Sequence, residues 1–256
     1  MKLKQLAERA VGLSLKMKKV CREECYRKDE NYPPLFLPPL DSQNIILMSE
    51  SPWDFPNYSK NIKDFILREL PEKLSKEKEG KVPTDIFSFI RKIFDPLFME
   101  ANSGEEMTEV FLSNVYWTHM AKKSLKDKNK EKAVPKCLGV FLTELREEIN
   151  HNVKLFVICT SYFPKLLLGA SVSEILFEYQ TEKIRKGELL TVGEILTLAK
   201  AKRYKETLEL FKDSYISFFP NPSRRNAPLN RCLFTREDTK NLLNFIHNLL
   251  FHEIHL

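Results

Sequence analysis

The chain has 256 residues, 43% of them hydrophobic and 30% charged, a composition that excludes global disorder and fits a folded globular protein. Its 41 Lys and Arg against 35 Asp and Glu leave a net charge of +6, mildly basic, which suits a polyanionic partner such as nucleic acid without requiring one. The most apolar stretch, Leu155 to Tyr179, is broken by Pro164 and Lys165, so the sequence predicts no membrane span, and a cytoplasmic setting is expected.

The first segment, MKLKQLAERAVGLSLKMKKV, lacks the unbroken apolar centre of a signal peptide. Leu3, Leu6, Ala10 and Leu13 fall on one stripe, which predicts an amphipathic helix. After Cys21 and Cys25 comes YPPLFLPPL, whose prolines at 33, 34, 38 and 39 forbid helix and predict an extended connector, with Leu35, Phe36 and Leu37 seeking burial. Residues 1–43 thus read as a prefix packed on a single domain that spans 1–256.

Four short apolar runs predict buried strands: Ile45 to Met48, Val110 to Leu112, Leu155 to Ile158 and Tyr215 to Phe219. Between them lie segments with helical spacing: Ile62 to Leu70, Ile86 to Phe98, Leu138 to Ile149 and Val192 to Phe211. Lys73 to Val82 and Lys122 to Lys132 read as solvated loops or helix ends. Strands alternating with helices predict a three-layer α/β/α fold around a four-stranded, mostly parallel sheet. In such sheets ligands bind beyond the carboxyl ends of the strands, so the residues after each run are the ones to weigh.

After the first run, Ser49-Glu50-Ser51-Pro52-Trp53-Asp54-Phe55 gathers two carboxylates and two aromatic rings. Acid chemistry needs a held carboxylate, and a planar base needs a face to stack on, but a Pro turn with a solvated Glu50 has the same pattern. At the tip of the second run, Asn114 offers a donor and an acceptor that can match a pyrimidine edge, or it is a turn residue. After the last run, Asn221-Pro222-Ser223-Arg224-Arg225-Asn226 combines a turn, a hydroxyl and two guanidiniums, as an anion clamp or a polar surface turn would.

Other chemistries find no support. Phosphate-binding glycine loops, a helical zinc-protease motif and a serine-nucleophile motif are all missing, and the chain has only 7 glycines. His247, His252 and His255 are spaced too unevenly on a C-terminal amphipathic helix to make a metal face. Five cysteines without a secretion signal point to reduced thiols or a partial metal site rather than a disulfide framework.

Taken together, the four strand-end segments resemble the uracil-DNA glycosylase superfamily, closest in pattern to its thermostable iron–sulfur branch in archaea and bacteria. SESPW stands where that branch has a GE-x-PG loop, SNVYWTH where it has T-N-x-x-K-C, ICTSYFPKLLLG where it has a small helix ending in LLG, and NPSRRN where it has HPS. The resemblance implies that Glu50 is the loop carboxylate and Asn114 the base-reading amide. Ser51 with Trp53, Phe55 or Tyr58 would contact the flipped base, and Ser223, Arg224 and Arg225 would hold the flanking phosphates.

The sequence also departs from the pattern. Ser49 and Trp53 replace glycines, and Asn221 replaces the histidine that donates toward the departing base. Asn can donate a neutral hydrogen bond but cannot carry a proton. The family's cluster cysteines have counterparts in Cys21, Cys25 and Cys137, while Thr118, with His119 beside it, takes the remaining place. The first expectation is no cofactor, with Cys21, Cys25, His119 and Cys137 as a candidate set for zinc or an iron–sulfur cluster as the alternative.

The resulting expectation is a monomeric DNA glycosylase that removes a deaminated base, uracil or hypoxanthine, by hydrolysing its N-glycosidic bond in base excision repair. The alternatives are a DNA-binding paralogue with little or no activity on the same fold, and an unrelated α/β enzyme acting on a small phosphorylated substrate.

Overall fold

A computed structural model of the chain describes residues 3–20, 44–49, 62–76, 86–120, 127–149, 151–160, 162–198, 204–219 and 236–254. Among the described residues it is an α/β fold with ten α-helical segments around a five-stranded sheet.

Helix α1 (Leu3–Val20) buries Leu6, Ala7 and Ala10, and Leu3 and Leu13 pack at its margins, so the apolar stripe read from the sequence is the face it buries. Strand β1 (Ile45–Ser49) follows. Helix α2 (Ile62–Asp64) runs through a π-helical turn, Phe65–Glu69, into α3 (Leu70–Ser75). Helix α4 (Ile86–Ile93) ends in a 3-10 turn, Asp95–Phe98, with Pro96 in its first turn.

The predicted strand Val110 to Leu112 is instead part of helix α5 (Gly104–Asn114), and the second strand, β2, is Val115–His119. The physical reason is a capping signal. Ser103 Oγ accepts a bond from Glu106 N at 3.1 Å, while Glu106 Oε2 takes Asn102 N at 2.6 Å. This Ser-x-x-Glu arrangement starts a helix before the apolar run begins. The five-residue run of β-branched and aromatic side chains that follows then makes the strand. Gly104 lets the start of α5 approach α3 closely, because a Cβ there would sit 2.2 Å from Pro71 O.

Helix α6 (Asp127–Glu147) and strand β3 (Leu155–Cys159) come next. A π-helical turn, Pro164–Leu168, leads through Gly169, at φ 104°, into α7 (Ala170–Arg185). Strand β4 (Leu190–Thr191) was not foreseen, and two residues leave no pattern to read. The predicted helical segment Val192 to Phe211 resolves into α8 (Val192–Leu198) and α9 (Lys205–Glu209). Strand β5 (Tyr215–Phe218) and helix α10 (Arg236–Ile254) complete the order.

The strands lie in the order β2-β1-β3-β5-β4, and the sheet has five strands rather than the four expected. The pairs β1–β2, β1–β3 and β3–β5 are parallel, whereas β4 is antiparallel to β5. All residues of β1, β2 and β3 are buried, because helices cover both faces of the sheet, even at the edge strand β2. Alternation sends Ile45, Leu47, Trp117, Leu155 and Val157 to one face, under α1 to α5 and α10. Ile46, Met48, Tyr116, Phe156 and Ile158 face α6 to α9 on the other.

Candidate functional site

Because β1, β2, β3 and β5 are parallel, their carboxyl ends share one edge. The chain leaves β1 into α2 to α5, which fill the core on one face. It leaves β3 into the π turn and α7, whose Leu167, Leu176 and Phe177 fill the other. Adjacent strands whose connections depart to opposite faces define a topological switch point, where open α/β sheets bind ligands. The switch point falls between Ser49 and Cys159, register partners at the ends of β1 and β3.

Three polar side chains form a row across this edge on one face: His119, Ser49 and Cys159, ending β2, β1 and β3 in register. They are 2%, 8% and 1% exposed. Trp117 Nε1 donates to Ser49 Oγ at 3.1 Å, and the Trp117 and His119 rings lie 5.5 Å apart. Burial pushes the Cys159 thiol well above its ordinary range, so it stays protonated and is no nucleophile. One residue on, Thr160 Oγ1 accepts Tyr162 N at 3.2 Å, tying down the exit from β3.

On the opposite face, the fully buried Glu144 of α6 accepts two hydroxyl bonds through Oε1, from Tyr116 and from Thr118, each 2.7 Å long. Burial and the adjacent carboxylate hold the Tyr116 phenol well above its usual range. A glutamate among the apolar positions Cys137, Phe141 and Leu145 was the available sequence signal for this pair of bonds.

The sequence-predicted residues meet different fates. Glu50, Ser51, Trp53, Phe55 and Tyr58 lie outside the described residues, although Glu50 follows Ser49 directly in the chain. Asn221, Ser223, Arg224 and Arg225 also lie outside them, two to six residues after Phe219, as do Cys21, Cys25 and the proline-rich connector.

Asn114 is not at the tip of a strand. It is the last residue of α5 and precedes β2, with its Nδ2 donating to Val110 O at 2.8 Å. Five residues of extended chain separate it from His119, so it stands roughly 16 Å from the carboxyl edge. The helix at 104–114 shifted the strand toward the C-terminus and carried Asn114 to the amino edge.

The candidate metal set is divided as well. Alternation and the Trp117 contact place His119 on the α1–α5 face, whereas Cys137 is buried in the α6–α9 core. A central strand layer lies between them, so these two residues do not fit one metal ion or cluster. Among the described residues, no group of three or more His, Cys, Asp or Glu could hold a metal. His247 packs, with Nε2 3.0 Å from Lys92 O; His255 lies outside the described residues.

No described helix is long and apolar enough to cross a membrane. Comparison with known families, with curated proteins and with solved structures found no match to this chain.

Proposed function

We propose that this chain is a DNA glycosylase-like protein of the uracil-DNA glycosylase kind, acting on a deaminated base at the carboxyl edge of its sheet. The observation that carries this reading is the switch point at Ser49 and Cys159. Glu50 is covalently attached to one side of that switch point. The segment bearing Ser223, Arg224 and Arg225 begins at the end of β5, on the far side of β3. Two ladder steps separate β1 from β5, roughly 10 Å, a span that suits a single nucleotide held between a carboxylate and an anion clamp.

In this mechanism the target nucleotide leaves the stack, at a cost of a few kcal/mol that is least at a mismatch. One of Trp53, Phe55 and Tyr58 covers the base, and Ser51 contacts it. Ser223, Arg224 and Arg225 hold the flanking phosphates. The N-glycosidic bond breaks with its electron pair going to the base, leaving an oxocarbenium-like sugar that Glu50 stabilises. Glu50 orients water onto C1′ and takes its proton, while Asn221 hydrogen-bonds the departing base, which is then protonated. Asn114 has no part, because it stands at the opposite edge.

The test is release of free uracil or hypoxanthine from labelled oligonucleotides. Release by the wild type and its loss in Glu50→Ala support the reading; no release from uracil, hypoxanthine or xanthine sites, in single or double strands, overturns it. A DNA-binding paralogue without activity is the second reading. It is favoured by the position of Asn114, which leaves the pocket without its expected base-reading amide. Salt-sensitive binding without base release identifies it.

A further inference from the structure

Close behind the carboxyl ends of the parallel strands, the aromatic residues among those described are Tyr162, Phe163 and Phe219. Phe219, after β5, is buried and meets Phe89 edge-on at 5.1 Å. Phe163, after β3, is buried and lies 6.4 Å from Phe218. Both of these rings belong to the core. Tyr162 differs: it packs against the α6–α9 core yet is only half-buried.

The turn that carries Tyr162 is fixed by its own sequence. Thr160 Oγ1 accepts Tyr162 N at 3.2 Å, and Pro164 fits the first turn of the π segment, where a missing N–H costs little. Phe163, Pro164 and Leu167 are buried, and helical spacing leaves Tyr162 and Leu166 at the boundary of that face, with Lys165 exposed. Tyr162 therefore stands just beyond Cys159, on the β3 side of the switch point, with its backbone held.

The exits of β1 and β3 depart to opposite faces of the sheet, so a ligand at the switch point has one exit on each side of it. A planar base has two faces to cover. Trp53, Phe55 and Tyr58 all belong to the β1 exit, whereas Tyr162 belongs to the β3 exit. We infer that Tyr162 is a base-stacking residue, covering the face of the flipped base turned toward β3. This rests on the nucleic-acid reading above. The ring suits the task, because its contact with the core orders it in advance and stacking needs only an aromatic face.

The experiment compares binding of two fluorescein-labelled duplexes. One carries 2′-fluoro-2′-deoxyuridine opposite G, whose fluorine slows base loss by disfavouring an oxocarbenium-like sugar; the other carries a tetrahydrofuran abasic site at that position. Wild type, Tyr162→Phe and Tyr162→Leu are tested, each checked for folding by circular dichroism. Tyr162→Leu keeps an apolar side chain against the core but has no aromatic face, and Tyr162→Met takes its place if it does not fold. The expected result is about tenfold weaker binding of the uracil duplex by Tyr162→Leu, with abasic binding within about twofold of wild type. Tyr162→Phe, which keeps the ring, should match wild type on both duplexes. Equal losses on the two duplexes, no loss on either, or a loss in Tyr162→Phe as large as in Tyr162→Leu overturns the inference and leaves the DNA reading standing. A wild type that binds neither duplex overturns both.

Discussion

Trp117 donates its indole N–H to Ser49 Oγ at 3.1 Å, a diagonal bond from the middle of β2 to the last residue of β1. A glycine at position 49 would leave this buried indole without its acceptor. Ser49→Gly is expected to destabilise the fold by about 1–3 kcal/mol, the cost of a buried donor losing its partner. The midpoint of urea unfolding reads this directly. An unchanged midpoint would mean that the indole bond contributes nothing.

Glu144 links α6 to β2 by accepting from both Tyr116 and Thr118 while fully buried. Glu144→Leu strands two hydroxyls and should cost about 3 kcal/mol, whereas Glu144→Gln keeps an accepting oxygen and should cost about 1 kcal/mol. Equal losses in the two variants would show that volume, not hydrogen bonding, is what this position supplies.

Asn114 and Glu50 separate the present mechanism from one carried over whole from the sequence resemblance. Base release should fall roughly 10²–10³-fold in Glu50→Ala, as when a transition-state contact is lost. In Asn114→Ala it should stay within about twofold of wild type, because that amide bonds Val110 O at the amino edge. A folded Asn114→Ala protein that releases no base would place the active site elsewhere.

Glu194 supplies a pH-dependent contribution at the start of α8. It accepts Thr191 N at 2.9 Å and Lys183 Nζ at 2.7 Å, while Glu194 N bonds Thr191 Oγ1 at 3.2 Å. Partial burial opposes ionisation, but the bonds from Lys183 and Thr191 outweigh it and hold the carboxyl below its ordinary value of 4.5. A lowered folded-state pKa contributes stability that is full above the ordinary value and is lost as pH falls through the lowered one. Glu194→Gln should therefore be less stable than wild type at neutral pH, by about 1 kcal/mol for a weakened cap. The gap should narrow as pH falls below 4.5 and close once it passes the lowered value. A gap that persists in acid would assign the effect to packing.

Much of this architecture was legible in the chain. Ile45 to Met48 and Leu155 to Ile158 are short, doubly apolar runs, and burial on both faces of a parallel sheet leaves few other places for them. The stripe on α1 was legible because a helix repeats its face every three or four residues. Where local signals compete, apolarity alone misled: Val110 to Leu112 suits either a strand or a helix, and the Ser103–Glu106 cap settles it as helix. That shift relocated Asn114. It also fixed the face on which His119 lies, which separated it from Cys137.

The alternation of strands and helices and most of the segment order follow from the sequence by itself, because they depend on local periodicity and composition. Only the tertiary structure decided that the switch point lies between Ser49 and Cys159, that the Trp117 indole bonds the Ser49 hydroxyl, and that Gln180 bonds the backbone of Phe218, 38 residues away. These are relations between groups distant in the chain. They are set by strand order, register and the side of the sheet each connection takes, none of which leaves a mark in any one segment.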